Sequence, residues 1–245
     1  MSERIQKVLS EQGYCSRRAA EQLIEERKIK VNGHTASPGD RVDIRKDVLT
    51  VNGERVHFSK RVEKLYFMLN KPRGYVTTLS DRHAKKYVGS LMEDVGVRVF
   101  PVGRLDKDSE GLLLFTNDGN FTNMVTHPSR ELSKSYRVSV KPSATEEQLS
   151  KIASGVELED GITAPASVTV TGEEFGKTVF EITIREGKNR EIRRMCEAVG
   201  LQTTRLKRTS IGPLRLGNLA AGEYRELTKQ EVAAIRGACK KPVKQ

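Results

Sequence analysis

The sequence has no tryptophan, and aromatic residues fill only 5% of its 245 positions. A core must therefore rest on Leu, Ile and Val, which recur in periodic blocks although hydrophobic residues make up just 36% of the chain. Cysteine is scarce. Cys15, Cys196 and Cys239 are far apart, odd in number and outside any C-x-x-C pair, which argues against a disulfide framework or a zinc site and for reduced thiols. The four histidines, His34, His57, His83 and His127, show no ligand spacing, so no metal is expected. No run is long and apolar enough to span a bilayer and no signal-peptide core opens the chain, which predicts a cytoplasmic protein with no membrane partner. Also missing are a G-x-S-x-G elbow, a P-loop and a Gly-rich dinucleotide turn. Hydrolase, NTPase, oxidoreductase and nucleotide-cofactor methyltransferase readings lose their usual anchor, and no cofactor is expected.

Positive charge, by contrast, is plentiful. Lys and Arg number 43 against 32 Asp and Glu, giving a net charge of +11 and a pI near 9.6. Such a balance favours a polyanionic partner over a merely soluble basic surface. The residues up to Arg61 include 13 basic and 9 acidic side chains and the rest 30 and 23, so both parts could touch a phosphate backbone.

Ile5, Val8 and Leu9 fall at helical spacing before Gly13, and Ser16 is placed to cap a second helix carrying Ala19, Ala20, Leu23 and Ile24. Tight β structure should follow, turning at Asn32-Gly33 and Asn52-Gly53 and closing by Phe58. The charged stretch 59–64 reads as a junction, which predicts a small domain over 1–60. Beyond it the pattern predicts strands at Leu65–Leu69, Tyr75–Leu79, Val97–Val102, Leu112–Phe115, Ser135–Val140, Ala166–Thr171 and Thr178–Arg185. Helices are expected at Glu146–Ala153 and Arg190–Val199, with a last one ending near Arg236. Helices this few and irregular do not make a βαβ repeat. The expected class is α+β: a larger domain over 65–236 with a mixed, mostly antiparallel sheet and flanking helices, then a mobile basic tail over 237–245.

Three stretches could carry chemistry. Gly103-Arg104-Leu105-Asp106-Lys107-Asp108-Ser109-Glu110-Gly111 lies between two apolar strands and reads as a functional loop. It starts like a calcium loop, but its twelfth position is Asn117 rather than a bidentate Glu. Asp106 is either a catalytic group or a solvated turn carboxylate. In Gly187-Lys188-Asn189-Arg190-Glu191-Ile192-Arg193-Arg194-Met195-Cys196, helical spacing buries Ile192, Met195 and Cys196 and leaves Arg190 and Arg194 outside, for phosphate contacts or plain solvation. Arg193 falls at the stripe's edge, where a half-buried guanidinium needs a carboxylate. In Lys134-Ser135-Tyr136-Arg137-Val138, Tyr136 is core filling or a platform for an unstacked base.

Taken together, Gly103-Arg104-Leu105-Asp106 with Ser109-Glu110-Gly111-Leu112-Leu113-Leu114-Phe115-Thr116-Asn117-Asp118-Gly119 resembles the catalytic motif of the RsuA/RluB branch of pseudouridine synthases. Asn70-Lys71-Pro72, Lys134-Ser135-Tyr136, the 187–195 stretch and Arg205-Leu206-Lys207-Arg208 resemble the family's other motifs, in its order, and the first 60 or so residues resemble its S4 RNA-binding module. The resemblance implies a cofactor-free isomerisation of a uridine in ribosomal RNA. It makes Asp106 the nucleophile or the electrostatic partner of the separated sugar, pairs Arg193 with it, stacks Tyr136 on the flipped uracil and makes Leu206 a pocket wall. Asp108 would be a loop carboxylate outside the chemistry. Arg104 would hold the gap left by the flipped nucleotide. Arg17, Arg18, Lys28 and Lys30 of the S4-like unit, with Lys71, Lys188, Arg190 and Arg194, would bind RNA. The motifs lean toward large-subunit (23S) RNA, with small-subunit (16S) RNA and a non-catalytic RNA-binding or ribosome-assembly factor as alternatives. A monomer with no obligate protein partner is expected.

Overall fold

A computed structural model describes residues 2–58, 62–81 and 84–240. The expected junction residues 59–61, His83 and the end of the tail, 241–245, lie outside the described residues. The chain divides into two compact units, Met1–Lys64 with Asn117–Gly119, and Leu65–Thr116 with Asn120–Gln245.

In the smaller unit β1 (Glu3–Arg4) leads into α1 (Ile5–Glu11) and α2 (Arg17–Glu25). The Ser16 hydroxyl accepts a hydrogen bond from the Ala19 N–H at 3.1 Å, a side-chain cap on α2. β2 (Ile29–Val31), β3 (His34–Thr35), β5 (Leu49–Val51) and β6 (Glu54–Arg55) form a sheet in the order β3-β2-β5-β6, while β4 (Arg41–Val42) pairs with β1. Asn32 and Asn52 take φ of 51° and 54°, each followed by a left-handed glycine, the geometry that two-residue hairpin turns demand. Ile5, Leu9, Ala20, Ile24, Ile29 and Leu49 fill the core between helices and sheet.

The larger unit is built on one nine-stranded sheet. Its elements are β7 (Tyr66–Lys71), β8 (Phe100–Val102), β9 (Glu110–Thr116), α3 (Gly119–Thr126), β10 (Lys134–Lys141), α4 (Glu146–Ser154), the hairpin β11 (Glu157–Leu158) and β12 (Gly161–Ile162), β13 (Ser167–Glu174), β14 (Lys177–Ile184), α5 (Glu191–Ala198), β15 (Gln202–Ile211), β16 (Leu214–Arg215), β17 (Tyr224–Glu226) and α6 (Lys229–Lys240). The strands run β13-β14-β10-β15-β9-β7-β17, with β8 beside β9 and β16 beside β15. Every pairing in it is antiparallel except β15 with β9, where Lys207 and Arg208 lie opposite Glu110 and Gly111. Gly111 has φ +103°, and a Cβ there would collide with the backbone of Arg208, so only glycine fits this junction.

β7 is buried on both faces. Phe67 and Leu69 join a core with Phe115, Val138, Phe180, Ile192 and Met195, while Tyr66 and Met68 join a second core with Phe121, Val125, Leu227 and Ile235. Five details depart from the sequence reading. The segment 75–79 is no strand; Val76 makes only an isolated bridge to Tyr87. α3 and the strands β15 and β17 were not foreseen. The last helix runs to Lys240 instead of ending near Arg236, because Ile235 and Cys239, one turn apart, are both buried, so 237–240 is helix rather than tail.

Candidate active site

The loop 103–109 emerges where the parallel pair β9 and β15 joins the two halves of the sheet. The segment after β7 fastens it by its carbonyls. Thr77 Oγ1 donates to Leu105 O at 2.6 Å, and the Gly74 N–H donates to Lys107 O at 2.6 Å. Lys71 Nζ donates to Asp106 O at 3.0 Å, to Ser109 O at 2.7 Å and to Pro72 O at 3.2 Å. Lys71 is 0% exposed, so the expected RNA contact is wrong: its three protons are spent on backbone oxygens. Burial pushes its pKa down to about 8, against the pull of Asp106 and Asp108.

With its backbone tied down, the loop presents its side chains to a cleft of about 500 Å³ lined by Arg73, Gly74, Val76, Thr77, Arg104, Leu105, Asp106, Lys107, Asp108 and Arg190. The volume suits a nucleotide-sized ligand. Asp106 and Asp108 supply negative charge, and Arg73, Arg104, Lys107 and Arg190 surround them with positive charge, a combination that can hold phosphates while offering a carboxylate to the bound group.

The partner of Arg193 differs from expectation. Its guanidinium, 9% exposed, lies 3.3 Å from Asp108 Oδ2 and donates to Asp108 O at 3.1 Å. Arg190 reaches both carboxylates, at 3.7 Å from Asp106 and 3.3 Å from Asp108. Asp106 and Asp108 stand two residues apart on one tight loop, and loop curvature, invisible in the sequence, turns Asp108 toward α5. Asp108 is thus no bystander. Partial burial works against its charge, yet the Arg190 hydrogen bond and the Arg193 charge outweigh it and hold its pKa below the ordinary value. Burial lowers the pKa of Arg193, opposed by Asp108.

Tyr136 and Leu206 are buried in the same core cluster as Leu105, the residue preceding Asp106, and are not part of the cleft lining. Two of the arginines and lysines expected at phosphates have other work. Arg194 makes a two-pronged bond to Asp160 at 2.7 and 3.0 Å, and Lys188 donates to Ile162 O at 3.1 Å, so both hold the β11–β12 hairpin against α5. Arg104 and Arg190 are exposed in the cleft, as are Arg17, Arg18, Lys28 and Lys30 on the smaller unit. Among the described residues no three His, Cys, Asp or Glu side chains gather as metal ligands would.

The RNA pseudouridylate synthase family matches residues 65–198, and the S4 domain matches residues 3–49. A Bacillus subtilis protein, "Ribosomal large subunit pseudouridine synthase B", is 42% identical over 236 residues, covering 96% of each chain. This chain belongs to the RNA pseudouridine synthase family. The synthase is also 37% identical to the "Dual-specificity RNA pseudouridine synthase RluF" of Salmonella typhi, over 94% of this chain and 78% of that one. A solved structure described as a pseudouridylate synthase superposes with a TM-score of 0.68 at 28% identity, covering 95% of this chain and 99% of the other. The synthase is an isomerase with an N-terminal S4 domain and a catalytic domain dominated by antiparallel sheet, as the sequence resemblance implied.

Two cleft residues escaped the sequence reading. Arg73 and Lys107 line the synthase's cleft beside Asp106, and Arg73 is braced by a hydrogen bond to Thr204 O at 3.2 Å. The signal was present: Lys107 lies inside a motif already singled out, and Arg73 directly follows another.

Proposed function

We propose that this synthase isomerises a uridine of ribosomal RNA, in the large subunit, with Asp106 acting at the ribose. The observation that carries the reading is Asp106 in a nucleotide-sized cleft, its loop fastened by carbonyls and its rim lined with arginine and lysine. The name of the Bacillus subtilis relative supports RNA of the ribosome as the substrate, and the Salmonella relative's name, the S4 domain and the +11 charge support RNA.

The reaction breaks the N1–C1′ bond, turns the uracil within the site and joins C5 to C1′, after which the C5 proton leaves. Base and sugar are both kept. Asp106 stabilises C1′ once the base has separated, by covalent attack or by its charge. Arg190 and Arg193, gathered by Asp108, keep positive charge beside it. Extruding the uridine costs a few kcal/mol, recovered by phosphate contacts from Arg73, Arg104, Lys107 and Arg190. The S4 domain grips nearby RNA through Arg17, Arg18, Lys28 and Lys30, and the enzyme works in the cytoplasm as a monomer without a protein partner.

Mapping pseudouridines in ribosomal RNA from cells with and without the protein tests this. Loss of a large-subunit pseudouridine is expected. A loss confined to small-subunit RNA would move the substrate, and no loss in either would overturn the ribosomal reading.

A further inference from the structure

The parallel junction of β9 and β15 holds a buried cation with no part in the reaction above. Only two register pairs join these strands, Lys207 with Glu110 and Arg208 with Gly111, and Leu112, next along β9, has no partner on β15. The Arg208 side chain takes over where the ladder stops. Its Nε donates to Leu112 O at 2.7 Å, with both residues buried. A buried carbonyl needs a donor, and this one finds it in a side chain.

Gly111 stands between two such cations. Lys71 of β7 lies opposite it on one side and Arg208 of β15 on the other, and residues opposite one another share a face of the sheet. Both grip the same stretch of chain by its carbonyls: Lys71 takes Asp106 O and Ser109 O, and Arg208 takes Leu112 O. Since β9 starts at Glu110, these bonds bracket the point where the Asp106 loop becomes strand. A shift of β9 at Leu112 would therefore pass straight into the loop.

Stability does not account for this arginine. Arg208 is 4% exposed, and its Nη2 is buried with no hydrogen-bond partner among the described residues. Burying a guanidinium with N–H groups unsatisfied is costly, and an apolar side chain of similar length would fill the space without that cost. We propose that Arg208 is a positioning residue for the isomerisation: from β15 it fixes the start of β9 and so, together with Lys71, the place at which the 103–109 loop presents Asp106 to the cleft. This rests on the reading of that loop as the reaction centre.

The test compares full-length wild type, R208M and R208Q by single-turnover tritium release from C5-labelled ribosomal RNA, with filter binding and thermal unfolding alongside. Counted along the side chain, the Nε2 of glutamine falls where the Nε of arginine stands, so R208Q keeps the bond to Leu112 O without the charge, and methionine keeps the bulk without the bond. R208M should be slowed about 10- to 100-fold at saturating enzyme, and R208Q should stay within about threefold of wild type. RNA affinity should stay within about twofold in both, since a buried side chain makes no phosphate contact. R208M should unfold at or above the wild-type temperature, because removal of a buried, incompletely bonded cation offsets the lost bond. R208M at the wild-type rate, R208Q as slow as R208M, or a rate lost only in proportion to unfolded protein overturns the proposal. Should R208M not fold, R208N, one methylene too short to reach Leu112 O, takes its place with the same expected rate. The wild type gives a readout of its own: the Arg208 Nε–H should exchange with solvent far more slowly than those of exposed arginines, and rapid exchange would also overturn the proposal. No tritium release from the wild type, with slow Nε–H exchange, would refute the reaction-centre reading and the positioning role with it, leaving only the anchor.

Discussion

Replacing Lys71 with methionine separates a positioning lysine from an RNA-binding one. Methionine keeps the length and apolar stem but leaves Asp106 O, Ser109 O and Pro72 O without their donor. Asp106 O keeps the Ser109 N–H at 3.1 Å; a buried carbonyl left unsatisfied costs about 1–3 kcal/mol, so the other two cost roughly 4 kcal/mol. Against this, the variant no longer buries an ammonium, and the fall of that group's pKa from 10.5 to about 8 sets the relief at about 3 kcal/mol. The net expectation is a loss of about 1 kcal/mol at pH 7, read by urea denaturation. The sign also predicts a pH dependence. Between about pH 8 and 10.5 the unfolded chain binds more protons at Lys71 than the folded one, so wild-type stability relative to the variant should rise across that window. Turnover should fall about 10- to 100-fold because the loop holding Asp106 loosens, while RNA affinity stays within about twofold. A variant of wild-type stability that binds RNA many-fold more weakly would refute the reasoning and restore Lys71 as a phosphate contact.

Asp108→Asn should also be more than a neutral change. It removes the charge that gathers Arg190 and Arg193, and with Asp108 one-third exposed the stability loss should be only about 1 kcal/mol, whereas turnover should drop at least about tenfold. Since the folded pKa of Asp108 is depressed, its stabilising contribution is present above the ordinary carboxylate pKa and lost as pH falls through the folded value; a denaturation series in acid should show the two proteins converging. Gly111→Ala should be among the most damaging single changes, costing about 3 kcal/mol or more, because both the positive φ and the approach of Arg208 forbid a Cβ; soluble, stable protein from that variant would contradict the geometry of the parallel junction.

Features legible in the sequence are those decided within a few residues. The Ser16 cap, the two Asn-Gly turns and the helices over 146–154 and 191–198 depend on neighbours along the chain, and the sequence reading places them to within a residue or two. The segment 75–79 alternates as a strand would, but whether an apolar alternation finds a ladder depends on a distant partner, and here only Val76 does. α3 is hidden because Asn120, Thr122, Asn123 and Thr126 are poor helix formers; packing of Phe121 and Val125 into the second core overrides their preference. In the site, the motifs point to the loop and the helix start that meet at the cleft. Which carboxylate meets Arg193, and that a strand lysine points inward to cap a loop, are tertiary facts. Residue spacing carries no information on either.

The central claim is that Asp106, and no other group of the cleft, is indispensable for isomerisation. Asp106→Asn keeps the side chain's shape and removes its charge and nucleophilicity, and its measurement is release of tritium from C5-labelled uridine in transcribed ribosomal RNA, with filter binding alongside. The account predicts no detectable release at RNA affinity equal to or above that of wild type, since a carboxylate near phosphates opposes binding. Tritium release at the wild-type rate by Asp106→Asn would contradict it.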